Sequence, residues 1–145
     1  MEKVYLNIKM ENNNEYFPNR ANKSDAGIDF FAPTDIVVNA RKDKLISLDL
    51  RTEFPEGYVL IFAEKSGVSV NKKIDILAKV IDAGYRGIVH AHLYNNSDID
   101  VTFNKGDKLV QGILLPCWIG TPTLVNNFII ESTDRGTGGF GSTNK

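Results

Sequence analysis

An acidic residue followed by an aromatic residue and two glycines is the first candidate for chemistry in this sequence. Asp82 and Tyr85 lie in the segment Val80–Gly87, between two apolar runs that are typical of buried strands. Gly84 and Gly87 favour a tight hairpin, whose bare backbone N–H and C=O groups could pair with a ligand. A carboxylate at the base of such a hairpin could polarise a water molecule, or it could simply cap the turn. The segment predicts either a hydrolytic acid or a structural turn.

The last eleven residues, Arg135–Lys145, are a second candidate, because they resemble a phosphate-binding loop with no strand before it and no helix after it. Gly136 and Gly141 bracket four residues as in a Walker A loop, but Ser142 replaces the required lysine, which argues against a P-loop ATPase. Backbone N–H groups of glycine runs can converge on an anion, and Phe140 could stack on a base. We predict a mobile lid for a nucleoside triphosphate. A disordered polar tail is the alternative.

Short β-strands must position these residues, since apolar and polar residues alternate along much of the chain. Alternation or a short apolar run predicts strands at Val4–Met10, Ile36–Val38, Ile46–Leu50, Tyr58–Ala63, Ile74–Val80, Val89–Leu93, Val101–Phe103, Leu109–Leu115 and Thr123–Ile130. No segment shows a convincing amphipathic helix. Many short strands in one small chain predict an all-β sandwich or barrel.

The composition is that of one small domain with a real core. The 145 residues are 42% hydrophobic, and 17 basic residues nearly balance 18 acidic ones, for a net charge of -1. No overall field attracts a nucleic acid or an anionic membrane, so we expect neither as a partner. We divide the chain into a β domain at 1–130 and a flexible C-terminal arm at 131–145, where the composition shifts to Thr, Gly, Ser and Arg.

The N-terminal residues and the cysteine content indicate the compartment. Residues Met1–Asn7 lack the apolar run of a signal peptide, and no stretch approaches the ~20 apolar residues of a membrane span. One cysteine, Cys117, excludes an intramolecular disulfide and fits a reducing compartment. We therefore expect a soluble protein in the cytoplasm of its own cell or, if it is viral, of the host cell.

Five segments, in order, resemble the motifs of the homotrimeric dUTPases, which hydrolyse dUTP to dUMP and pyrophosphate. They are Asp25–Ala32, Glu64–Gly67, Val80–Gly87, Gly106–Gly112 and the C-terminal glycine loop. The resemblance implies a distorted all-β jelly-roll or β-barrel with a flexible glycine-rich arm, and a homotrimer whose sites are shared between subunits. It also implies a role in limiting uracil incorporation into DNA and in supplying dUMP for thymidylate synthesis.

The resemblance implies a role for individual residues as well. Asp82 would be the catalytic residue that orients and deprotonates the water attacking the α-phosphorus. Tyr85 would lie against the deoxyribose, and Asp29 would hold Mg²⁺ through water. Around the hairpin, the implied substrate-binding residues are Val80, Tyr85, Gly87, Ile88 and Val89. The implied phosphate-binding residues are Lys65, Ser66, Gly67 and Gln111, and those of the closing arm are Arg135, Gly138, Gly139, Phe140, Gly141, Ser142 and Thr143.

Three residues depart from the family pattern. Lys65 and Glu64 stand where relatives usually have Arg and Pro, and Lys79 stands where they commonly have Gly. Lysine lacks the bidentate fork of arginine, so phosphate contacts would be looser or geometrically different. Glu64 adds a negative charge near a triphosphate unless it faces away or pairs with Lys65. Lys79 could face solvent or the nucleotide.

Three other interpretations compete with dUTP hydrolysis. A dCTP deaminase would share the implied fold, but its proton-transferring Glu aligns with His92, and its turn Trp aligns with Tyr85. His90 and His92 lie two apart on one strand face, and even with Cys117 they are too few and too scattered for a zinc site. A non-catalytic or regulatory dUTP-binding protein is the alternative from a different class. An Asp82→Asn variant would separate that protein from an enzyme.

Overall fold

The computed structural model describes residues 3–141, which contain eleven β-strands and one short helix. In chain order the elements are β1 (Asn7–Met10), β2 (Ile28–Phe31), β3 (Ile36–Val38), β4 (Asp43–Ser47), β5 (Leu50–Glu53), β6 (Tyr58–Ala63), α1 (Ser66–Lys72), β7 (Ile74–Ile76), β8 (Val80–Asp82), β9 (His90–Asn95), β10 (Val101–Phe103) and β11 (Lys108–Pro116). No helix in the described range has the length and apolar character needed to cross a bilayer. The all-β class predicted from the alternating pattern is confirmed.

The strands form four antiparallel sheets rather than one continuous sheet. The largest has the order β2-β11-β6-β8, and the next has the order β4-β9-β7. Two strand pairs, β1-β5 and β10-β3, complete the set. Many neighbouring strands are distant in sequence, as the crossovers of a jelly-roll require. The jelly-roll prediction is confirmed, but no sheet of the described residues closes on itself into a barrel.

One hydrophobic core joins the sheets. Its fully buried members include Phe30 of β2, Phe62 of β6 and Phe103 of β10. The rings of Phe30 and Phe62 meet edge to face, with centroids 5.1 Å apart and planes at 72°. Gly112 of β11 fits beside them because it has no side chain: an added Cβ would lie 2.8 Å from the Phe30 ring and 3.1 Å from Leu60. This packing fixes the order β2-β11-β6, which carries part of the candidate site.

The helix α1 and the strand β2 are elements that the sequence pattern did not predict. Ser66–Lys72 contains no buried residue, so it lacks the apolar stripe by which an amphipathic helix is recognised. Lys73 ends the helix in the left-handed conformation, with a φ of 58°. The Nζ of Lys72 donates to the carbonyl oxygen of Thr102 over 3.2 Å and so ties the last turn to β10. The pattern shows no convincing amphipathic helix, and α1 is not one, because a helix of about two turns is too short to show a periodicity.

Two predicted strands are divided and one is shorter than predicted. Ile46–Leu50 contains the end of β4 and the start of β5, separated at Asp49, whose φ is 51°. Ile74–Val80 contains all of β7 and the start of β8, and β1 begins only at Asn7. Apolar residues continue across both breaks, so the pattern alone could not show where the hydrogen-bonded ladder stops.

The strand predicted at Thr123–Ile130 is not formed in the described chain. Residues 117–141 contain neither helix nor strand, and every residue from 118 to 137 is exposed. Leu124 is 97% exposed and Ile129 is 104% exposed. An apolar run becomes a strand only where a neighbouring strand pairs with its N–H and C=O groups, and within residues 3–141 this run has no such neighbour. The prediction was therefore wrong for this chain by itself.

Candidate active site

Asp82 is the last residue of β8, at the start of the turn that leads to β9. The prediction of a paired hairpin was wrong, because β8 pairs with β6 whereas β9 pairs with β4 and β7 in another sheet. The connection is therefore a tight turn between two sheets, which we call the hairpin turn. Its backbone position is fixed by the sheet, because Asp82 lies opposite Val59 of the neighbouring strand β6. The hairpin turns where the Tyr85 N–H donates to the carbonyl oxygen of Asp82 over 3.1 Å. The Asp82 side chain is exposed. The carboxylate is therefore accessible to water and to a ligand, on a backbone that the sheet holds in place.

The Tyr85 ring folds back over its own hairpin. Its hydroxyl donates to the carbonyl oxygen of Ile88 over 2.8 Å. An added Cβ on Gly87 would lie 2.5 Å from the ring atom Cζ and 2.8 Å from Cε1, closer than side-chain atoms tolerate. Glycine at this position therefore allows the ring to take its place. Because the residue is 43% exposed, much of the ring remains available to a ligand.

A cavity of ≈ 190 Å³ lies beside the hairpin. Its lining residues are Val80, Ile81, Asp82, Tyr85, Val89 and His90. Four of them, all except Ile81 and His90, were predicted as site residues from the sequence. The other two predicted hairpin residues, Gly87 and Ile88, shape the cavity indirectly, because they fix the position of the Tyr85 ring.

His90 lines this cavity, although no motif singled it out as a site residue. Its Nδ1 lies 2.9 Å from the carbonyl oxygen of Ile88, and since that oxygen can only accept, we assign the proton to Nδ1. His92 makes a different contact, with its Nε2 2.7 Å from Oδ2 of Asp43. The two histidines do not form a joint site, and residues 3–141 contain no group of three or more His, Cys, Asp and Glu that could hold a metal ion. One sequence signal could have predicted that His90 lines the cavity. It is the first residue of the strand that follows the Val80–Gly87 turn.

Strand β11 brings two further motifs together, because Gln111 lies between Asp29 of β2 and Ala63 of β6 in the sheet register. The Nε2 of Gln111 donates to the carbonyl oxygen of Glu64 over 2.8 Å. On another side the amide packs on Gly27, where an added Cβ would lie 2.9 Å from Cδ of Gln111 and closer still to Oε1. Two backbone segments therefore hold this side chain in one orientation.

Asp29 is a carboxylate that is 2% exposed and lies between two ammonium groups. The Nζ of Lys65 is 2.8 Å from Oδ1, and the Nζ of Lys108 is 3.2 Å from Oδ2. The second contact is an ion pair without hydrogen-bond geometry. Oδ2 is therefore a buried oxygen that accepts no hydrogen bond from the described residues. Burial raises the pKa of Asp29, but the hydrogen bond from Lys65 and the two positive charges outweigh burial and hold the pKa below its usual 3.8. Lys108, which the sequence analysis did not single out, thus belongs to the site.

Glu64 pairs with Lys79 and not with Lys65. Its Oε1 accepts the N–H of Ile76 over 3.2 Å and lies 3.5 Å from the Nζ of Lys79. Burial raises the pKa of Glu64, but hydrogen bonds from backbone N–H groups and the charge of Lys79 outweigh burial and lower the pKa below its usual 4.5. Glu64 and Lys79, two of the three residues that depart from the family pattern, are therefore in contact with each other.

The first turn of α1 carries the predicted Lys-Ser-Gly segment. Lys65 is the N-cap residue, and no side-chain hydrogen bond caps this end of the helix. Ser66 and Gly67 are exposed, and an added Cβ on Gly67 would meet no atom within 4 Å. The N–H groups of a first helical turn have no acceptor within the helix and suit an anion. The ion pair of Lys65 with Asp29 places this turn beside the Gln111 segment.

The described part of the arm folds into turns of its own. The Nε of Arg135 donates to the carbonyl oxygen of Gly138 over 2.9 Å, and the N–H of Gly138 donates back to the Arg135 carbonyl oxygen over 3.1 Å. Phe140 and Gly141 both have positive φ, of 53° and 86°. Phe140 is 114% exposed and packs on no core residue.

The structure does not bring the arm to the cavity beside the hairpin. None of the arm residues that the structure describes is among those lining that cavity. This holds for the predicted contacts Arg135, Gly138, Gly139, Phe140 and Gly141. The last two predicted contacts, Ser142 and Thr143, lie outside the described residues. If the arm binds the ligand of a hairpin cavity, either it moves or it serves another copy of the chain.

The fold and the site define a class of protein, namely an all-β protein of the jelly-roll type with a small pocket at a tight turn between two sheets and a charged polar cluster on adjacent strands. A family model described as dUTPase matches residues 13–144, which is nearly the whole chain. The chain therefore belongs to the dUTPase family.

Individual relatives agree with this assignment. The deoxyuridine 5'-triphosphate nucleotidohydrolase of Oryza sativa subsp. japonica is 38% identical over 138 residues, which cover 95% of this chain and 80% of that protein. The dUTPase of Staphylococcus bacteriophage 80alpha, solved as a variant with dUpNHpp, matches with a TM-score of 0.89 at 26% identity and covers 96% of this chain and 98% of that one. A dUTPase of phage phi11 of S. aureus, solved as a variant that reveals the coordination of a structural Mg(II) ion, matches with a TM-score of 0.80 at 27% identity, covering 87% of this chain and 99% of that one.

Proposed function

We propose that this protein hydrolyses dUTP to dUMP and pyrophosphate. The observation that carries the proposal is the cavity at the hairpin, where Asp82 and Tyr85 meet the apolar side chains of Val80 and Val89 in a chain of the dUTPase family. An acid beside a small, partly apolar pocket suits a reaction in which water attacks a bound nucleotide. The reaction removes dUTP as a source of uracil in DNA and supplies dUMP.

Asp82 is the residue that we assign to the reacting water. Phosphoryl transfer needs little covalent help from a protein, so positioning of the nucleophile and stabilisation of charge provide most of the acceleration. The Asp82 carboxylate is solvent-accessible, and its backbone is paired with β6 at Val59, so it can accept a proton from a water molecule held at a fixed place. In this scheme that water attacks the α-phosphorus opposite the leaving pyrophosphate.

Selection of the deoxynucleoside falls to the hairpin. The Tyr85 ring is fixed over Gly87 by its hydrogen bond to Ile88, so it can form a rigid wall against the sugar. A 2′-hydroxyl would collide with that wall, whereas deoxyribose would not. The backbone around Gly87, Ile88 and Val89 would pair with uracil, and the tight turn leaves no space for a 5-methyl group.

The triphosphate would lie along the segment where β11, β6 and α1 meet. Lys65 supplies a cation, Ser66 and Gly67 supply first-turn N–H groups, and Gln111 supplies an amide. Support comes from the sheet register, which places Gln111 beside Asp29, the partner of Lys65. Three segments that are far apart in sequence, around Asp29, Lys65 and Gln111, are thus neighbours.

Asp29 fits a role in binding Mg²⁺ through water. Its low pKa keeps it ionised, and its Oδ2 is buried without a hydrogen bond, so it retains an acceptor for a metal-bound water. Mg²⁺ usually keeps several waters and binds through one or two protein carboxylates together with substrate phosphates, so a single carboxylate suffices. When bound with the nucleotide, the ion would neutralise charge on the phosphates. Lys65 and Lys108 would then exchange part of their contact with Asp29 for contact with phosphate oxygens.

We further propose that the protein works as a homotrimer whose sites are shared between subunits. Trp118, Leu124, Phe128 and Ile129 are each at least 73% exposed, and such an apolar run in water favours a partner surface. The described arm does not reach the Asp82 cavity of its own chain, as a site completed by another subunit would require. In this scheme the arm beyond residue 130 closes over the γ-phosphate and Phe140 covers the uracil. The single free cysteine, Cys117, suits the cytoplasm, where we place the enzyme.

Pyrophosphate release tests the activity directly. The intact chain is assayed with Mg²⁺ and dUTP, dTTP, dCTP or UTP, and we expect rapid release from dUTP alone. An Asp82→Asn variant should lose about two to four decades in kcat and still bind dUpNHpp, because only the proton acceptor has changed. No release from dUTP by the intact chain would refute the proposed activity. Full turnover by Asp82→Asn would refute the role of Asp82.

A truncation tests the arm separately. A chain ending at Asp134 lacks the glycine loop but keeps all the strands found in residues 3–141. We expect it to melt at the temperature of the intact chain and to lose most of its dUTP turnover. A truncated chain with unchanged kcat/KM would show that the arm is a passive tail, whatever the activity of the core.

A further inference from the structure

We propose that Lys79 supports nucleotide binding through Glu64, as a positioning residue that neutralises a carboxylate next to the triphosphate subsite. The proposal rests on the dUTP hydrolysis proposed above and adds a residue pair to its phosphate subsite. It differs from a direct role, in which the Lys79 ammonium would itself contact a phosphate oxygen. The two roles predict opposite results in a double variant.

Glu64 is fixed close to the proposed phosphate contacts. It directly precedes Lys65, the N-cap residue of α1, and its carbonyl oxygen accepts the Gln111 amide over 2.8 Å. Its carboxylate accepts the N–H of Ile76 over 3.2 Å, which anchors it to the start of the connection between β7 and β8. With only 28% of its side chain exposed, Glu64 has little freedom to move away from an incoming polyanion.

Lys79 is placed to neutralise that carboxylate. Its carbonyl oxygen accepts the N–H of Phe62 over 2.8 Å, so its backbone lies beside β6 two residues before Glu64. From there its Nζ reaches to 3.5 Å from Oε1 of Glu64. Lys79 also directly precedes β8, the strand that ends in Asp82. The ion pair therefore links the phosphate segment to the strand of the proposed catalytic acid.

The negative charge of Glu64 weakens nucleotide binding when Lys79 is removed. A triphosphate carries several negative charges, and an unneutralised carboxylate next to its binding segment repels it. In a Lys79→Met variant we therefore expect KM for dUTP to rise about fivefold, with kcat changed less than twofold, since ground-state binding alone is affected. The rise should shrink at high ionic strength, because salt screens the repulsion.

The decisive experiment is a double-mutant cycle with Glu64→Gln, Lys79→Met and the combined variant. Glutamine keeps an oxygen for the Ile76 N–H and removes only the charge. If Lys79 acts through Glu64, Lys79→Met should have no effect on KM once Glu64 is glutamine. If Lys79 contacts the nucleotide directly, the same fivefold rise should appear in both backgrounds, and the proposal is overturned.

Control variants separate this effect from general ones. Lys79→Arg keeps the charge and should keep the wild-type KM. Lys44→Met removes one positive charge on β4, where its Nζ donates to the carbonyl oxygen of Val37, and should leave KM unchanged.

Melting temperatures confirm folding of each variant. The dissociation constant of dUpNHpp is measured in parallel, so the pair can be judged even if turnover of dUTP is absent and the proposed activity fails. A Lys79→Met variant with wild-type KM and wild-type dUpNHpp affinity would overturn the proposal.

Discussion

Replacement of Gly87 by alanine tests whether the position of the Tyr85 ring selects the sugar. The new Cβ would lie 2.5 Å from Cζ of that ring, whereas ordinary contacts begin at 3.4 Å. The ring must therefore move by roughly 1 Å, and its hydrogen bond to the Ile88 carbonyl oxygen must lengthen or break. Since Gly87 does not have a positive φ, its backbone accepts alanine without strain, and the effect of the substitution lies in the ring alone.

The expected magnitudes differ for stability and for selectivity. Loss of one partly exposed hydrogen bond costs about 1 kcal/mol of unfolding free energy, so the variant should fold. A displacement of about 1 Å next to the reacting groups can lower kcat/KM by roughly 100-fold. Because the rigid wall against a 2′-hydroxyl is lost, the ratio of kcat/KM for dUTP over UTP should fall by at least about tenfold.

The assay measures pyrophosphate release from dUTP and from UTP across a range of substrate concentrations. Gly84→Ala is the matched control, because an added Cβ there meets no atom within 4 Å in the same hairpin. Tyr85→Phe is the second control, since it removes the hydroxyl and leaves the ring. We expect Gly84→Ala to keep the wild-type selectivity. Equal selectivity in Gly87→Ala and Gly84→Ala would refute the reasoning that the ring position sets the choice of sugar.

Three further predictions concern packing, phosphate binding and pH. Gly112→Ala should lower the unfolding free energy in urea by about 1–3 kcal/mol, because the new Cβ meets the Phe30 ring at 2.8 Å; no change would show a looser core. Gly27→Ala should displace the Gln111 amide and raise KM for dUTP about tenfold without unfolding the chain; an unchanged KM would remove Gln111 from the phosphate subsite. Asp29 has a lowered folded pKa, so its ionised form stabilises the fold above its usual pKa of 3.8, and this stability disappears as pH falls through the folded pKa. The stability difference between wild type and Asp29→Asn should be constant from neutral pH to about pH 5 and shrink below about pH 4; a pH-independent difference would contradict the assignment.

Local signals in the sequence were enough for the class of fold and for the presence of a turn at Val80–Gly87. Alternating apolar residues predicted most of the strands, because a strand that is buried on one face repeats every two residues whatever its partner is. A turn at Val80–Gly87 was predictable because its glycines and its acid act on the chain within a few residues. Its form was not, because β8 and β9 join different sheets and neither Gly84 nor Gly87 has a positive φ. Motif order then identified Asp82 and Tyr85, which the structure places on one cavity.

Elements without a local signal were missed. The helix at Ser66–Lys72 buries no side chain, so no apolar stripe marks it. The run at Thr123–Ile130 carries the alternation of a strand, yet it forms none in the described chain because a strand depends on a partner that its own residues cannot specify. His90 has an ordinary strand pattern around it, and only the bend of the hairpin places it on the cavity.

Residue patterns and motifs therefore indicated the strand-rich fold, the family and most of the candidate site residues, but not His90 or Lys108. Which charges meet depends on how the chain folds. The pairing of β8 with β6 brings Lys79 to Glu64. The register of β11 against β2 brings Lys108 to Asp29, which Lys65 contacts from the other side. A repeat of two residues fixes the face on which a side chain lies but not its partner on the next strand, so these pairings are set by packing between distant segments.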